Sequence, residues 1–349
     1  MKAAIYYGPG DIRVENVSDP KLEADGILIR VKACGICGSD IHPYRVGGLI
    51  EPGLIMGHEF SGDVIEVGAN VIDIKKGDRV TAASVQPCGQ CHWCQKKQTH
   101  RCPNMRVLGF HMPGSLAEYV SIPLALVNQT VFPLPDELSY EDGATVEPLS
   151  VAENTVRRAE PTADDTVVIL GVGMIGQCAL QVLKAIGVAK VVVSEVSEKR
   201  LEVAKAMGAD VVINAADEDT IQRVREVTSG MEVDVVVECA GVPITFQQAI
   251  EMVRGSLQQA FETVRPDGKI MLVGIYEQPI QWTPNSVIRK SVRMIGCYSG
   301  NFPAAIELLK TGKVNTRPLV THEYPLDKAR EAFEAQSKAN ESIKVLIRP

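Results

Sequence analysis

Thr166-Val-Val-Ile-Leu170-Gly171-Val-Gly173-Met-Ile-Gly176 is the stretch from which the architecture can be read. Five apolar or β-branched residues form a short strand, three glycines a turn, and residues 174–186 carry helical spacing. In that context the glycines have separate uses. The first permits the tight turn, the second lets a pyrophosphate approach the backbone, and the third brings helix close to strand; the helix N-terminus then faces the phosphates. Ile175 lies inside this turn. An acid is expected about 20 residues further on to take the ribose hydroxyls, and Glu195 ends the next apolar run, residues 190–194. The alternative for Glu195 is a solvent-facing acid after an ordinary turn. A carboxylate there repels a 2′-phosphate and so favours NAD over NADP, a preference that Lys199 and Arg200 weaken.

Downstream, β and α patterns alternate: a helix at 198–207, a strand at 210–213, a helix near 220–228, a strand at 233–238, helical sequence to Arg265 and a strand at 269–273. This predicts a doubly wound parallel sheet with right-handed crossovers. A repeat lies within it. Gln247-Gln-Ala-Ile-Glu-Met-Val-Arg254 recurs eleven residues later as Gln258-Gln-Ala-Phe-Glu-Thr-Val-Arg265. Eleven residues make about three helical turns, so the repeat predicts one lengthened helix, or two halves broken at Gly255 with Ser256 as cap.

Upstream the chain changes character. Ile27, Ile29, Val31 and Ala33 alternate with Leu28, Arg30 and Lys32, and residues 60–67, 79–85 and 116–122 read similarly, which predicts a β-rich domain with sites on its loops. After Arg293 the sequence predicts a strand, helices at 303–310 and 326–335, and a last strand at 342–347, a tail too short to stand alone. The 349 residues fit two cores. The expected divisions are 1–155, 156–292 and a tail 293–349. A net charge of −7 gives no basic face for nucleic acid or anionic membrane. Residues 166–183 carry no charge, but their glycines and glutamines fit strand, turn and helix better than a membrane span. The N-terminus lacks the apolar run of a signal peptide, and nine cysteines, an odd number, argue against a secreted disulfide framework. A cytoplasmic protein is expected.

Cys88-x2-Cys91-x2-Cys94-x7-Cys102 supplies four soft ligands in one loop, the set that a closed structural zinc site needs. An iron–sulfur cluster or four free thiols are the alternatives. His92 and His100 read as loop residues, and Cys178, Cys239 and Cys297 as buried hydrophobes. A third group is dispersed: Cys34-Gly-Ile-Cys37-Gly-Ser39-Asp40-Ile-His42, then Gly57-His58-Glu59-Phe-Ser-Gly62, then Glu147-Pro-Leu-Ser-Val-Ala152. Each alone is unremarkable. Together they offer a thiolate, an imidazole and carboxylates, a ligand set for zinc with an exchangeable position.

Taken over nearly its whole length, with Gly57-His58-Glu59-x-x-Gly62, the four-cysteine loop and the glycine turn in that order, the sequence resembles the zinc-dependent medium-chain dehydrogenases. Glu147, where ordinary alcohol dehydrogenases usually have a cysteine, makes it most similar to their polyol branch of sorbitol, butanediol and threonine dehydrogenases. The resemblance implies a GroES-like β-rich catalytic domain, a Rossmann domain, and a tail that returns to the catalytic domain. It implies a catalytic zinc on Cys37, His58 and Glu147, with Glu59 an alternative ligand or linked through water, and Cys34 not a ligand. It also implies a proton relay in which Ser39 touches the alcohol and His42 stands at the solvent end; the plainer readings are a helix cap and a loop histidine. NAD, two zinc ions per chain, and a homodimer or homotetramer complete the expectation. The expected reaction is reversible oxidation of a secondary alcohol to a ketone. A primary-alcohol or aldehyde dehydrogenase and a catalytically silent nucleotide-binding protein are the rivals. Tyr44, Phe110 and Tyr298 are candidates for a pocket wall, with packing the better reading.

Overall fold

The computed structural model describes residues 1–48, 50–123, 130–255 and 268–349. The chain divides into two compact units. One comprises residues 1–147, 302–310 and 320–349, and the other residues 148–301 and 311–319.

The first unit is built on a seven-stranded mixed sheet in the order Val131–Pro133, Arg79–Ala82, Glu59–Val67, Ile27–Gly35, Lys344–Arg348, Val320–Pro325, with Tyr119–Ile122 also pairing Ile27–Gly35. Ile27, Ile29, Val31 and Phe60 are buried in one core with Phe333, Val345 and Ile347 from the tail. The central strand pairs Gly35 with Glu59 on one side and with Leu346 on the other. Gly35 is required there by close approach: a Cβ on it would lie 2.3 Å from Glu59 Oε2. Lys344 begins the strand that follows, so the carboxyl-terminal residues reach the acid at the start of Glu59–Val67.

Among the described residues, two helices of more than one turn interrupt what reads as β-rich sequence. Gly38–Val46 starts directly after Cys37, and Tyr140–Ala159 runs for 20 residues. Ser139 and Asp142 begin the longer one reciprocally: the Asp142 carboxylate accepts the Ser139 N–H at 2.9 Å, and Ser139 Oγ accepts the Asp142 N–H at 3.1 Å. The two units divide inside this helix, between Glu147 and Pro148. Pro148 has no N–H for the carbonyl one turn earlier. The boundary thus falls eight residues before the expected one.

The second unit is a six-stranded parallel sheet. Its order is Val211–Asn214, Lys190–Glu195, Thr166–Leu170, Val235–Glu238, Lys269–Leu272, Arg293–Gly296, which is 3-2-1-4-5-6 in chain order. The middles of the inner strands are mostly valine, isoleucine and leucine, because both faces are covered. Arg293–Gly296 corrects the reading of a tail from residue 293. It pairs parallel with Lys269–Leu272 as the sixth strand, after the Asn285–Lys290 helix. Residues 311–319 also stay with this unit, where Gln181 exchanges hydrogen bonds with the backbone of Asn315.

The repeat is corrected in part. Its first copy lies in the helix Pro243–Met252, but Val253 is extended and bridges Val233, and the Gly255 N–H turns to the Glu232 carboxylate. One uninterrupted helix through Gly255 is therefore ruled out. Residues 256–267, which hold the whole second copy and its Ser256 cap, lie outside the described residues.

Candidate active site

Sγ of Cys37, a ring nitrogen of His58 and a carboxylate oxygen of Glu59 all lie within 4.8 Å of one another. Cys37 caps the Gly38–Val46 helix; its own N–H donates to Asp40 Oδ2 at 3.0 Å. His58 is 4% and Glu59 1% exposed. Glu147 is outside that group but close enough to act electrostatically on His58 and Glu59, and its Oε1 accepts the Ser84 hydroxyl at 3.2 Å. The thiol, the imidazole and Glu59 therefore converge, whereas Glu147, the third ligand that the resemblance implies, lies outside that group of atoms.

Two members of this cluster carried no assignment in the sequence reading. Asp40 is fully buried, with Oδ1 3.6 Å from His58 Nδ1, and neither atom has a hydrogen-bond partner. A metal-binding histidine is commonly oriented by a carboxylate on its other nitrogen. Asp40 is visible in the motif, but its role depends on meeting His58. Lys344 is 3% exposed; it donates to Glu59 Oε2 at 2.5 Å and to the carbonyl of Ile36 at 2.9 Å. No local signal reveals it, because 285 residues separate it from Glu59.

The charges around the cluster favour a cation. Burial pushes the Asp40 and Glu147 carboxyls above their ordinary pKa values, and burial together with Glu59 raises the Cys37 thiol. Burial alone would lower His58 and Lys344, but the neighbouring acids and thiol hold both above their usual values. Three acids and a thiol thus face two protein cations, with Asp40, His58, Glu59 and Lys344 buried and Cys37 and Glu147 partly exposed. A borderline-soft divalent ion with sulfur, nitrogen and oxygen ligands matches that deficit of positive charge.

Ser39 and His42 ride on the Gly38–Val46 helix, three residues apart and hence on one side of it, both half-buried. Cys34 is separate from the cluster: its thiol meets the Ser115 hydroxyl at 3.2 Å, and burial raises its pKa strongly. Of the pocket candidates, Phe110 packs its ring 5.7 Å from that of His58, Tyr44 belongs to the core against Phe333, and Tyr298 is 76% exposed.

The four-cysteine loop closes as spaced. Its ligand atoms lie within 4.8 Å of one another, Cys91 and Cys94 have Sγ atoms 3.5 Å apart, and Cys102 Sγ accepts the Cys88 N–H. Tetrahedral zinc–thiolate bonds place sulfurs about 3.8 Å apart, so the quartet fits the ion with little movement. Backbone N–H groups of Gln90 and Cys91 pull the Cys88 thiol down to about 6, while burial holds Cys94 up at about 12. His92 and His100 are exposed.

In the second unit the glycine turn takes the expected form. Gly171 has φ +87° and packs on Ala240, and a Cβ on Gly176 would lie 2.2 Å from the Gly171 carbonyl oxygen. Gly173 differs. A Cβ there meets only the Arg200 guanidinium, at 3.7 Å, so the chain's own packing does not require a glycine. Glu195 is buried rather than solvent-facing. Its oxygens accept N–H groups from Val172 at 3.0 Å, Val196 at 2.8 Å and Ser197 at 3.3 Å, and Arg200 stands 3.6 Å away.

Comparison with known proteins gives the family. Residues 23–136 match the alcohol dehydrogenase GroES-like domain, and residues 174–311 the zinc-binding dehydrogenase domain. The chain is 34% identical over 358 residues to a sorbitol dehydrogenase of Bacillus subtilis, covering 100% of this chain and 97% of that protein. It is 35% identical over 357 residues to an L-threonine 3-dehydrogenase of Pyrococcus abyssi, covering 99% and 97%. The crystal structure of 2R,3R-butanediol dehydrogenase from Bacillus subtilis superposes with a TM-score of 0.85 at 35% identity, covering 100% of this chain and 99% of that one. This chain, with a GroES-like unit and a Rossmann unit, belongs to the zinc-dependent medium-chain dehydrogenases and is an enzyme of that oxidoreductase family.

Proposed function

We propose that the enzyme interconverts a secondary alcohol and its ketone with NAD as hydride carrier, on a polyol, diol or amino alcohol. The observation that carries this reading is the convergence of Cys37, His58 and Glu59, from two stretches of chain, within 4.8 Å of one another, with Glu147 near enough to act on His58. The relatives act on substrates of this kind, as their names state. Cys37, His58 and Glu147 hold the catalytic zinc; Glu59, engaged by Lys344, is the alternative or water-linked acid. Cys88, Cys91, Cys94 and Cys102 hold the structural one.

Zinc at the first site supplies Lewis acidity toward an alcohol, and nicotinamide supplies hydride acceptance. The protein's residues handle the proton. Ser39 takes it from the alcohol, and His42, on the same side of the helix, passes it toward water. Asp40, with Oδ1 3.6 Å from His58 Nδ1, orients the His58 ring and would leave its other nitrogen for a metal. In the second unit Gly171, Gly173, Ile175 and Gly176 form the pyrophosphate turn, and Glu195 faces the ribose with Arg200 beside it. The Arg200 charge is engaged with Glu195, which supports NAD over NADP. A homodimer or homotetramer fits the open edge strand Arg293–Gly296, and nine free cysteines fit a reducing cytoplasm. Among the described residues, no helix is long and apolar enough to cross a membrane.

The test is a panel of vicinal diols, sugar alcohols, amino alcohols and primary alcohols, assayed with NAD+ and with NADP+ on zinc-loaded enzyme. NADH should form with a secondary alcohol and not with primary ones. Preference for a primary alcohol, or for NADP+, would refute the corresponding part.

A further inference from the structure

Glu238 ends the strand beside Thr166–Leu170 and is fully buried. Its Oε1 accepts the N–H groups of Ala240 and Gly241 at 2.9 Å each, and the Thr245 hydroxyl at 2.8 Å. Its Oε2 accepts the Tyr276 hydroxyl at 2.6 Å. The Glu238 carbonyl also accepts the N–H groups of Val273 and Gly274. One carboxylate thereby joins the turn after the fourth strand, residues 239–242, to the turn after the fifth, residues 273–276. The two are in backbone contact, since a Cβ on Gly274 would lie 2.3 Å from the Gly241 nitrogen and 2.7 Å from Glu238 Oε2. The Tyr276 ring packs edge-on against Phe246 of the Pro243–Met252 helix, which fixes the hydroxyl's direction.

The position of this knot matters. In a sheet ordered 3-2-1-4-5-6, a dinucleotide lies across the carboxyl ends of the strands at the switch between the first and fourth. Glu195, at the end of the second strand, marks the adenosine side. The other half of the molecule therefore lies over the ends of the fourth and fifth strands, where the two turns are tied. Burying a carboxylate is costly unless it is fully hydrogen-bonded. Here two backbone N–H groups and the Tyr276 hydroxyl donate to it, and the Thr245 hydroxyl divides its one hydrogen between Glu238 Oε1 and the Val242 carbonyl, each at 2.8 Å. The turns are thus held in one arrangement.

We propose that Glu238, Thr245 and Tyr276 are positioning residues for the nicotinamide riboside half of the dinucleotide, holding the two turns as one preformed floor. This rests on the dinucleotide reading of the second unit. Glu195, which serves the adenosine half, takes its hydrogen bonds from Val172, Val196 and Ser197 and not from the knot. The pyrophosphate turn touches the knot where Gly171 packs on Ala240; there it meets Ala240's own atoms, not the Tyr276 and Thr245 hydroxyls that the variants remove.

Isothermal titration of the zinc-loaded full chain with NADH and, separately, with ADP-ribose distinguishes the two halves. Tyr276→Phe removes one hydroxyl and keeps the ring on Phe246. It should weaken NADH by about tenfold, the worth of one hydrogen bond to a charged group, and leave ADP-ribose within about twofold. Thr245→Val, a second and near-isosteric removal of a donor, should do the same to a lesser degree. In turnover, KM for NAD+ should rise while KM for the alcohol holds. Unchanged NADH affinity in both variants, or equal weakening of NADH and ADP-ribose, overturns the proposal. Wild-type protein that binds neither ligand overturns the dinucleotide reading itself, and the proposal with it.

Discussion

The two units keep their chemistry at opposite distances along the chain. In the first, Cys37, His58 and Glu147 span more than a hundred residues, and the lysine that holds Glu59 comes from the last strand. In the second, the pyrophosphate turn is six consecutive residues, Gly171 to Gly176, with Glu195 one strand later. A phosphate can be met by backbone N–H groups, which any chain presents once its turn is open enough. A metal needs particular side-chain atoms converging at fixed lengths, and a single loop supplies them only when it is as cysteine-dense as residues 88–102. The dispersed cluster therefore depends on tertiary packing, whereas the turn depends on local conformation.

The strongest way to break this comparison is to remove a ligand. Cys37→Ser or His58→Ala should lower kcat by about a thousandfold or more, since metal polarisation is worth several kcal/mol, while NADH binding stays within about twofold by titration. Loss of NADH binding in step with activity would show that the units are not chemically separate.

A smaller effect is expected from Lys344→Met. It leaves Glu59 buried and uncompensated at a cost of about 3–5 kcal/mol, read as a fall in the denaturation midpoint. Adding Glu59→Gln should recover much of it, because the two changes share one interaction. A single variant as stable as wild type would remove Lys344 from the account.

The metal cluster also predicts a pH dependence. Asp40 and Glu147 titrate above their ordinary values of 3.8 and 4.5 in the fold, and Cys37 is raised as well. In chelated protein their contribution to stability is complete below those ordinary values and lost as pH rises through the folded ones. Zinc stabilises the ionised forms, so the Tm gap between zinc-loaded and chelated protein should widen from about pH 5 to about pH 8. A gap that narrows over that range would contradict the assigned ligands.

The smallest effects sharpen the dinucleotide side. Gly176→Ala forces a Cβ to 2.2 Å from the Gly171 oxygen and should lower both Tm and NADH affinity. Gly173→Ala meets nothing closer than 3.7 Å and should leave Tm unchanged while weakening NADH by about tenfold, because only the pyrophosphate approaches that close. Equal binding by the Gly173 variant and wild type would mean that the phosphates lie elsewhere.

Where the sequence reading missed, local preference lost to packing. Tyr140–Ala159 contains Gly143 and Pro148 with β-branched Thr145, Val146, Val151 and Thr155, a poor helix by propensity. Burial of Ala144, Val146, Leu149 and Ala152 decides for helix all the same, and so fixes the element that carries Glu147. Arg293–Gly296 reads as the start of a tail because its four residues show no periodicity; only its parallel pairing with Lys269–Leu272 makes it a sixth strand. Glu238 reads as an ordinary strand end, and nothing near it in sequence reveals Tyr276, 38 residues away.

From its residues alone the chain specified a doubly wound sheet, a glycine turn between strand and helix, a four-cysteine loop and a set of dispersed candidate ligands. Each of these rests on interactions within a few residues or on the period of a strand or helix. Folding decided what the residues at 34 to 59, 147 and 344 do to one another. It set Cys34 aside against Ser115, turned Asp40 to His58, and brought Lys344 to Glu59. The reason is electrostatic. Buried charges act strongly over a few ångströms in a medium that excludes water, and which charges come that close is fixed by strand register, not by order in the chain.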